Sequence, residues 1–257
     1  MIAPIATAFP SERLTGALGL SPKYSRLREN ILRLVRELEP DSVVPPERVL
    51  CEQYGVSRTT VQRAIQELVR EGVLYRQQGR GTFVAQPKLV QTIQLQGHTV
   101  EMEAEGLRPG SRLIAASDVP SSEEAAAFFE LEPGMPIHRV VRLRLVDGRP
   151  MAIQTVHLDS SRFRDIGAAL AASVSLYDVL RERYQVRLDR AEETIESSLA
   201  DDAEAELLET EVGLPLLVLS RRSWEAGGRP LELAESRYRG DRYRVLVRLD
   251  APVKVEP

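Results

Sequence analysis

The segment from Val44 to Val84, VPPERVLCEQYGVSRTTVQRAIQELVREGVLYRQQGRGTFV, carries so many start and stop signals that few folds can accept it. Pro45, Pro46 and Glu47 suit a helix start, where a proline loses no hydrogen bond and an acid meets the positive end of the helix dipole. Gly55 permits a turn that other residues resist, and Ser57 stands where an N-cap belongs. Val61, Ala64, Ile65 and Leu68 then fall at i, i+3, i+4 and i+7, one apolar stripe on a second helix. Gly72 ends that helix. Leu74–Arg76 and Thr82–Val84 alternate as short strands around a Gly79-Arg80-Gly81 tip. This order predicts a winged helix-turn-helix, whose second helix enters a DNA major groove. Arg58, Thr59, Gln62 and Arg63 lie off the apolar stripe near the N-terminal end, where base edges are read. Arg can bridge guanine O6 and N7, and Gln can pair with adenine. A helix pair around a glycine turn also occurs in ordinary helical domains. The added wing and the placement of Arg48, Arg58 and Arg80 favour DNA.

Charge agrees with a small DNA head on a body that does not touch DNA. Residues 1–85 hold 12 Lys/Arg against 9 Asp/Glu, a net of +3, while the remainder holds 22 against 29, a net of −7. An acidic whole argues against a general polyanion binder. The small excess on the head requires several placed contacts, and two heads bound together.

A chain of 257 residues allows two domains, each with its own core. The expected division is a disordered extension over 1–21, a winged helix-turn-helix over 22–85, a linker over 86–91, a second domain over 92–250 and a tail over 251–257. A first helix is predicted from Pro22 to Leu38, with Tyr24, Leu27, Ile31, Leu34 and Leu38 on one face. The lone Cys51 cannot form an internal disulfide and reads as a small buried apolar residue. No run reaches the length of a membrane-spanning helix, and residues 1–21 lack the basic leader of a signal peptide. A cytoplasmic protein is expected.

The second domain contains an internal repeat. The helical, acidic Ser122–Glu130 leads to Gly134-Met135-Pro136, a strand, a turn at Gly148-Arg149-Pro150 and another strand. Asp202–Glu209 leads in the same way to Gly213-Leu214-Pro215, a strand, a turn at Gly228-Arg229-Pro230 and another strand. The Gly-x-Pro marks stand 79 residues apart and the Gly-Arg-Pro marks 80. Two such units predict an α+β fold, a mostly antiparallel sheet with helices on one face, pseudo-twofold, with a pocket between the halves. Chance similarity among hairpins is the alternative.

The N-terminal region resembles the GntR family of bacterial regulators. Pro46-Glu47-Arg48, Gly55-Val56-Ser57-Arg58-Thr59-Thr60-Val61 and Gly79-Arg80-Gly81-Thr82-Phe83-Val84 match its motif at the right spacing. The resemblance implies DNA contacts from Arg48, Ser57, Arg58, Thr59, Thr60, Gln62, Arg63, Gly79, Arg80 and Gly81. Gln62-Arg63 departs from the pattern, since many relatives carry Arg then Gln, so no relative's operator sequence transfers. Residues 92–248 resemble the UTRA ligand-sensing domain of the HutC-like branch, with a chorismate-lyase-like fold. Pro150-Met151-Ala152-Ile153, Ala191-Glu192-Glu193-Thr194-Ile195-Glu196 and Tyr238-Arg239-Gly240-Asp241-Arg242-Tyr243 carry that match. Within that branch the chain resembles the DasR and NagR group, which senses aminosugar phosphates.

A phosphosugar site can also be sought in the residues themselves. A phosphate takes arginines in bidentate reach, hydroxyls and a helix N-terminus. Arg142 and Arg144, two apart in a strand, share a face. Ser175 suits the cap of a helix containing Tyr177, and Gly97-His98-Thr99 suits the opening of another. The resemblance gives Arg142, Arg144, Ser175 and Thr99 to the phosphate, and Glu232 and Tyr238 to the sugar. Without it, the arginine pair reads more readily as a solvated strand face, and Glu232 and Tyr238 as rim residues. Gln154 and His98 depart from the relatives that bind N-acetylglucosamine 6-phosphate, which carry Glu and an aromatic there. An unrelated anion, such as an organic acid or phosphonate, is the alternative effector.

An enzyme is the competing class. His98, His138 and His157 lack metal-ligand spacing, and there is no nucleophile elbow or P-loop. Glu192, Glu193 and Glu196 form an acidic run that strand alternation divides between two faces. The sequence therefore predicts a homodimeric repressor on palindromic double-stranded DNA, released by a phosphorylated sugar, with no cofactor and no metal.

Overall fold

The structure is a computed structural model, which describes residues 22–77, 79–86, 88–92 and 95–249. The expected extension over 1–21 and tail over 251–257 lie outside the described residues. The chain divides into two compact units, 1–87 and 88–257.

In the first unit α1 (Pro22–Arg36), α2 (Glu47–Tyr54) and α3 (Arg58–Arg70) precede a hairpin of β1 (Leu74–Gln77) and β2 (Gly81–Val84). Helix α1 ends two residues short of the expected Leu38, where Glu37 and Leu38 turn back onto Leu34 and Val35. Gly55 closes α2 in the left-handed region at φ 62°, and its N–H returns to the Cys51 carbonyl. The Ser57 hydroxyl accepts the Thr60 N–H and starts α3. Val61, Ala64, Ile65 and Leu68 are all buried, packed with Leu27, Ile31, Leu50 and Leu74. Burying each large side chain of such a stripe contributes roughly 1.5–3 kcal/mol, which holds this short helix in place. Cys51 is half-buried at the margin of this core instead of buried within it. The wing registers Leu74 against Val84 and Gln77 against Gly81, and Val43 adds a bridge to Phe83.

The second unit begins where a linker was expected. Leu89–Thr92 is strand β3, paired in parallel with β10 (Tyr243–Leu246). Leu89 and Gln91 point inward and Val90 outward, an alternation too short to stand out in the sequence. After α4 (His98–Ala104) come β4 (Pro109–Pro120), α5 (Glu123–Phe129), β5 (Pro136–Val146) and β6 (Arg149–Asp159). They are followed by α6 (Ile166–Ala171), α7 (Leu176–Tyr184), β7 (Leu188–Leu199), α8 (Asp202–Leu207), β8 (Pro215–Glu225) and β9 (Pro230–Arg239). Six strands form one antiparallel sheet in the order β4-β5-β6-β9-β8-β7. Each half of the repeat is a meander, and the two meet where β6 pairs with β9, a pseudo-twofold arrangement. The halves share details. Ser122 caps α5, and Asp201, 79 residues on, caps α8. Asp147 and Gly148, both at positive φ, make the two-residue turn whose twist suits a hairpin.

The helices cover both faces of the sheet, not one. On β5, Val141 and Leu143 pack toward α8, while Val140 packs with Val156 and Leu158 under α6 and α7. The repeat helices α5 and α8 take one face. Helices α4, α6 and α7, which the repeat does not contain, take the other, where Val140, Arg142 and Arg144 of β5 are buried.

Candidate functional site

Each unit offers a site. In the first, α3 presents Arg58, Thr59 and Gln62 away from the core. Glu47, at the start of α2, gathers them. Arg58 Nε lies 3.3 Å and Gln62 Nε2 3.0 Å from its Oε2, and Arg76 pairs with Oε1 at 3.7 Å. The Ser57 hydroxyl meets those of Thr59 and Thr60 at 2.9 and 2.7 Å. Arg48 is exposed and pairs with Glu52 one turn on. Arg63 leans the other way, its guanidinium 5.3 Å above the Tyr24 ring. Arg80 is exposed at the wing tip between Gly79 (φ 73°) and Gly81 (φ 120°), backbone that glycine adopts freely. The ten residues expected at DNA thus fall on α2, the start of α3 and the wing, with Arg63 engaged by Tyr24.

In the second unit a cleft lies between the sheet and helices α4 and α7. All nine residues expected at the effector line it: His98, Thr99, Arg142, Arg144, Gln154, Ser175, Tyr177, Glu232 and Tyr238. They come from both halves of the repeat and from the helices between. Arg142 and Arg144 share a face as alternation requires, but that face is covered, and each side chain is only 2 % exposed. The solvated-face alternative therefore fails. Arg142 donates to Gln154 Oε1 at 2.7 Å, Arg144 to Thr99 Oγ1 at 3.3 Å, and both to the Val174 carbonyl at 3.4 and 2.7 Å. Among the described residues neither has a carboxylate within salt-bridge distance, and each Nε lacks an acceptor.

Two buried guanidiniums side by side with no carboxylate in salt-bridge contact are costly, and the Glu232 carboxylate acts on Arg142 only from beyond that distance. Burial, then the neighbouring Arg144, lowers Arg142 to about 9, still charged at neutral pH. His98 is held well below the usual imidazole range by burial first, then by Arg144 and Arg142, and so stays neutral. Its Nδ1 lies 3.4 Å from the Tyr238 hydroxyl. Burial raises Glu232, whose Oε1 accepts from Tyr177 and from Ser223 at 3.0 Å while Oε2 has no donor. Ser175 caps α7 as expected, accepting the Asp178 N–H at 3.2 Å, with the positive end of α7 toward the arginines' shared carbonyl.

Sequence reasoning missed Arg221, Glu193, Gln96 and Ser236, which line the same cleft. Arg221 had a signal, standing 79 residues after Arg142, the spacing of the repeat. Alternation divides the acidic run as expected, with Glu193 facing this cleft and Glu192 a groove on the opposite face of the sheet. Among the described residues no cluster of His, Cys, Asp and Glu could hold a metal ion, and no helix is long and apolar enough to cross a membrane.

Known proteins share this organisation. Residues 23–84 match the model of bacterial regulatory proteins of the gntR family, and residues 104–244 that of the UTRA domain. The HTH-type transcriptional repressor NagR of Bacillus subtilis is 38% identical, over 89% of this chain and 95% of its own. The repressor PhnF of Mycolicibacterium smegmatis is 31% identical over 86% and 89%. The histidine utilization repressor of Pseudomonas putida is 28% identical over 88% and 92%. The crystal structure of PhnF from Mycobacterium smegmatis superposes with a TM-score of 0.62, at 31% identity, over 88% of this chain and 99% of that one.

Proposed function

This chain belongs to the bacterial gntR family and carries a UTRA domain behind its winged head, and on that premise we propose that a phosphorylated aminosugar releases it from DNA. It is a transcriptional repressor of the GntR/HutC class, not an enzyme, and its class binds DNA and small-molecule effectors. The finer reading rests on one observation above the rest, the buried Arg142–Arg144 pair, which among the described residues has no carboxylate within salt-bridge distance. A phosphate dianion would supply the missing charge and accept from both guanidiniums in bidentate fashion. Thr99 and the capped start of α7 at Ser175 add hydroxyl and backbone donors. Glu232, with one oxygen lacking a donor, and Tyr238 suit sugar hydroxyls.

Gln154 favours a second reading. Its carbonyl is taken by Arg142 and its amide donates to Ser236 at 3.3 Å, so it offers no charge to an ammonium group. A compact organic acid or phosphonate would also satisfy the arginines. In the cytoplasm, two chains would set two heads on a palindromic operator. Calorimetry with N-acetylglucosamine 6-phosphate and glucosamine 6-phosphate, against the same sugars without phosphate, separates the readings. The phosphorylated sugars should bind at least tenfold tighter, as expected when a charge-assisted contact is gained. Equal affinity with and without phosphate would refute the phosphate role, and binding of neither would favour another anion.

A further inference from the structure

The two halves of the sheet place an arginine at equivalent positions. Arg142 on β5 and Arg221 on β8 stand 79 residues apart, each eight residues after the glycine of its Gly-x-Pro, and both line the cleft. Their neighbours on the outer strands differ. The strand register sets Glu193 of β7 opposite Arg221, and the two close a forked salt bridge, Nε to Oε1 at 2.9 Å and Nη2 to Oε2 at 3.2 Å. The remaining nitrogen, Nη1, donates to the Gln96 carbonyl at 3.3 Å, just ahead of α4. Opposite Arg142 the register sets Leu113 of β4, beside the bulge at Ile114. Leucine offers no acceptor, so Arg142 turns to an amide and a backbone carbonyl, and among the described residues no carboxylate lies within salt-bridge distance of it.

We propose that the residue opposite each arginine divides the work between them: Leu113 leaves Arg142 open to a ligand's anion, and Glu193 commits Arg221 to holding the segment that enters α4. Leu113 is then a specificity-determining residue and Arg221 a positioning residue. The segment Arg221 holds is tightly seated. A Cβ on Gly97 would come within 2.8 Å of Tyr177 Cδ2, so only glycine fits against that ring, while Arg221 holds the carbonyl before it. Next along the chain, His98 and Thr99 present their side chains to the cleft. Fixing the Gln96 carbonyl therefore fixes two groups that face the ligand.

The Arg142 half of the proposal rests on the cleft being an anion site, and the test separates failure of the two. Leu113→Glu recreates beside Arg142 the arrangement seen at Arg221, and Leu113→Gln has the same shape without the charge. Without any ligand, the Glu variant should melt above the Gln variant at pH 7. A carboxylate held low by a guanidinium adds stability above its unfolded pKa and loses it as pH falls through the folded value, so the difference should vanish in acid. With glucosamine 6-phosphate or inorganic phosphate as probe, the Glu variant should bind about tenfold more weakly or worse, and the Gln variant within a few-fold of wild type. Arg221→Gln, free of ligand, should raise amide hydrogen exchange over residues 96–99 while the rest of the sheet keeps its protection. If wild type binds neither probe, the anion reading fails, and the ligand-free melting and exchange results still decide this proposal. No melting difference at pH 7, a Leu113→Glu variant that binds like wild type, or unchanged exchange in Arg221→Gln overturns it.

Discussion

Arg58 and Arg142 show how one residue type is used in two opposite ways. The Arg58 side chain is 78% exposed, and its pair with Glu47 is long and solvated. Such a pair is worth at most about 1 kcal/mol, so a guanine edge can take the guanidinium over with little opposition. Arg58→Ala should therefore weaken specific operator binding by about 1–3 kcal/mol per half-site. A mobility-shift titration measures it, with circular dichroism unchanged because no core atom is touched. Unaltered specific affinity would remove Arg58 from the base contacts. Arg142 is the reverse case, buried and with no salt bridge among the described residues, the feature on which the proposed anion site rests.

Among elements, α4 and β3 are joined by a buried polar chain. Glu101 of α4 accepts from Gln91 of β3, and Gln91 in turn accepts from the Tyr243 hydroxyl of β10. Burial is the main cause that raises Glu101 to about 7, with Glu193 adding to it and Arg221 opposing it. A carboxyl raised in the folded state favours folding while it is protonated, and that advantage is lost as pH rises from its unfolded value through about 7. Wild type should thus lose melting temperature between pH 5 and 8 relative to Glu101→Gln, and parallel pH profiles would exclude the effect. The same elements mark where sequence patterning ran out. The helix-turn-helix was legible because caps, turn glycine and apolar stripe are local signals. The repeat was legible because its Gly-x-Pro and hairpin turns need particular backbone angles. Strand β3 was not, since one inward Leu and one inward Gln make no readable pattern. Alternation put Arg142 and Arg144 on one face, but whether that face is solvated depends on α4 and α7 closing over it from distant parts of the chain. Arg221 escaped notice although the repeat pointed to it, because its importance lies in its partner, Glu193.

At the scale of the whole molecule, residues 1–85 carry a net +3 and the remainder a net −7, so the excess positive charge that suits DNA lies with the winged head. If the two are coupled, linkage requires each ligand to weaken the other by the same factor. Arg142 belongs to the effector unit alone, so removing it should cut that coupling and leave the head as it was. The decisive measurement is a mobility shift of operator DNA titrated with glucosamine 6-phosphate, comparing wild type with Arg142→Ala. Wild type should release the DNA. The variant should bind it with the same affinity and hold on at sugar-phosphate concentrations about ten- to hundredfold higher, the loss expected for one charge-assisted contact. Release of the variant at the wild-type concentration, or release of wild type by unphosphorylated glucosamine just as readily, would contradict an anion-gated repressor built on the Arg142–Arg144 pair.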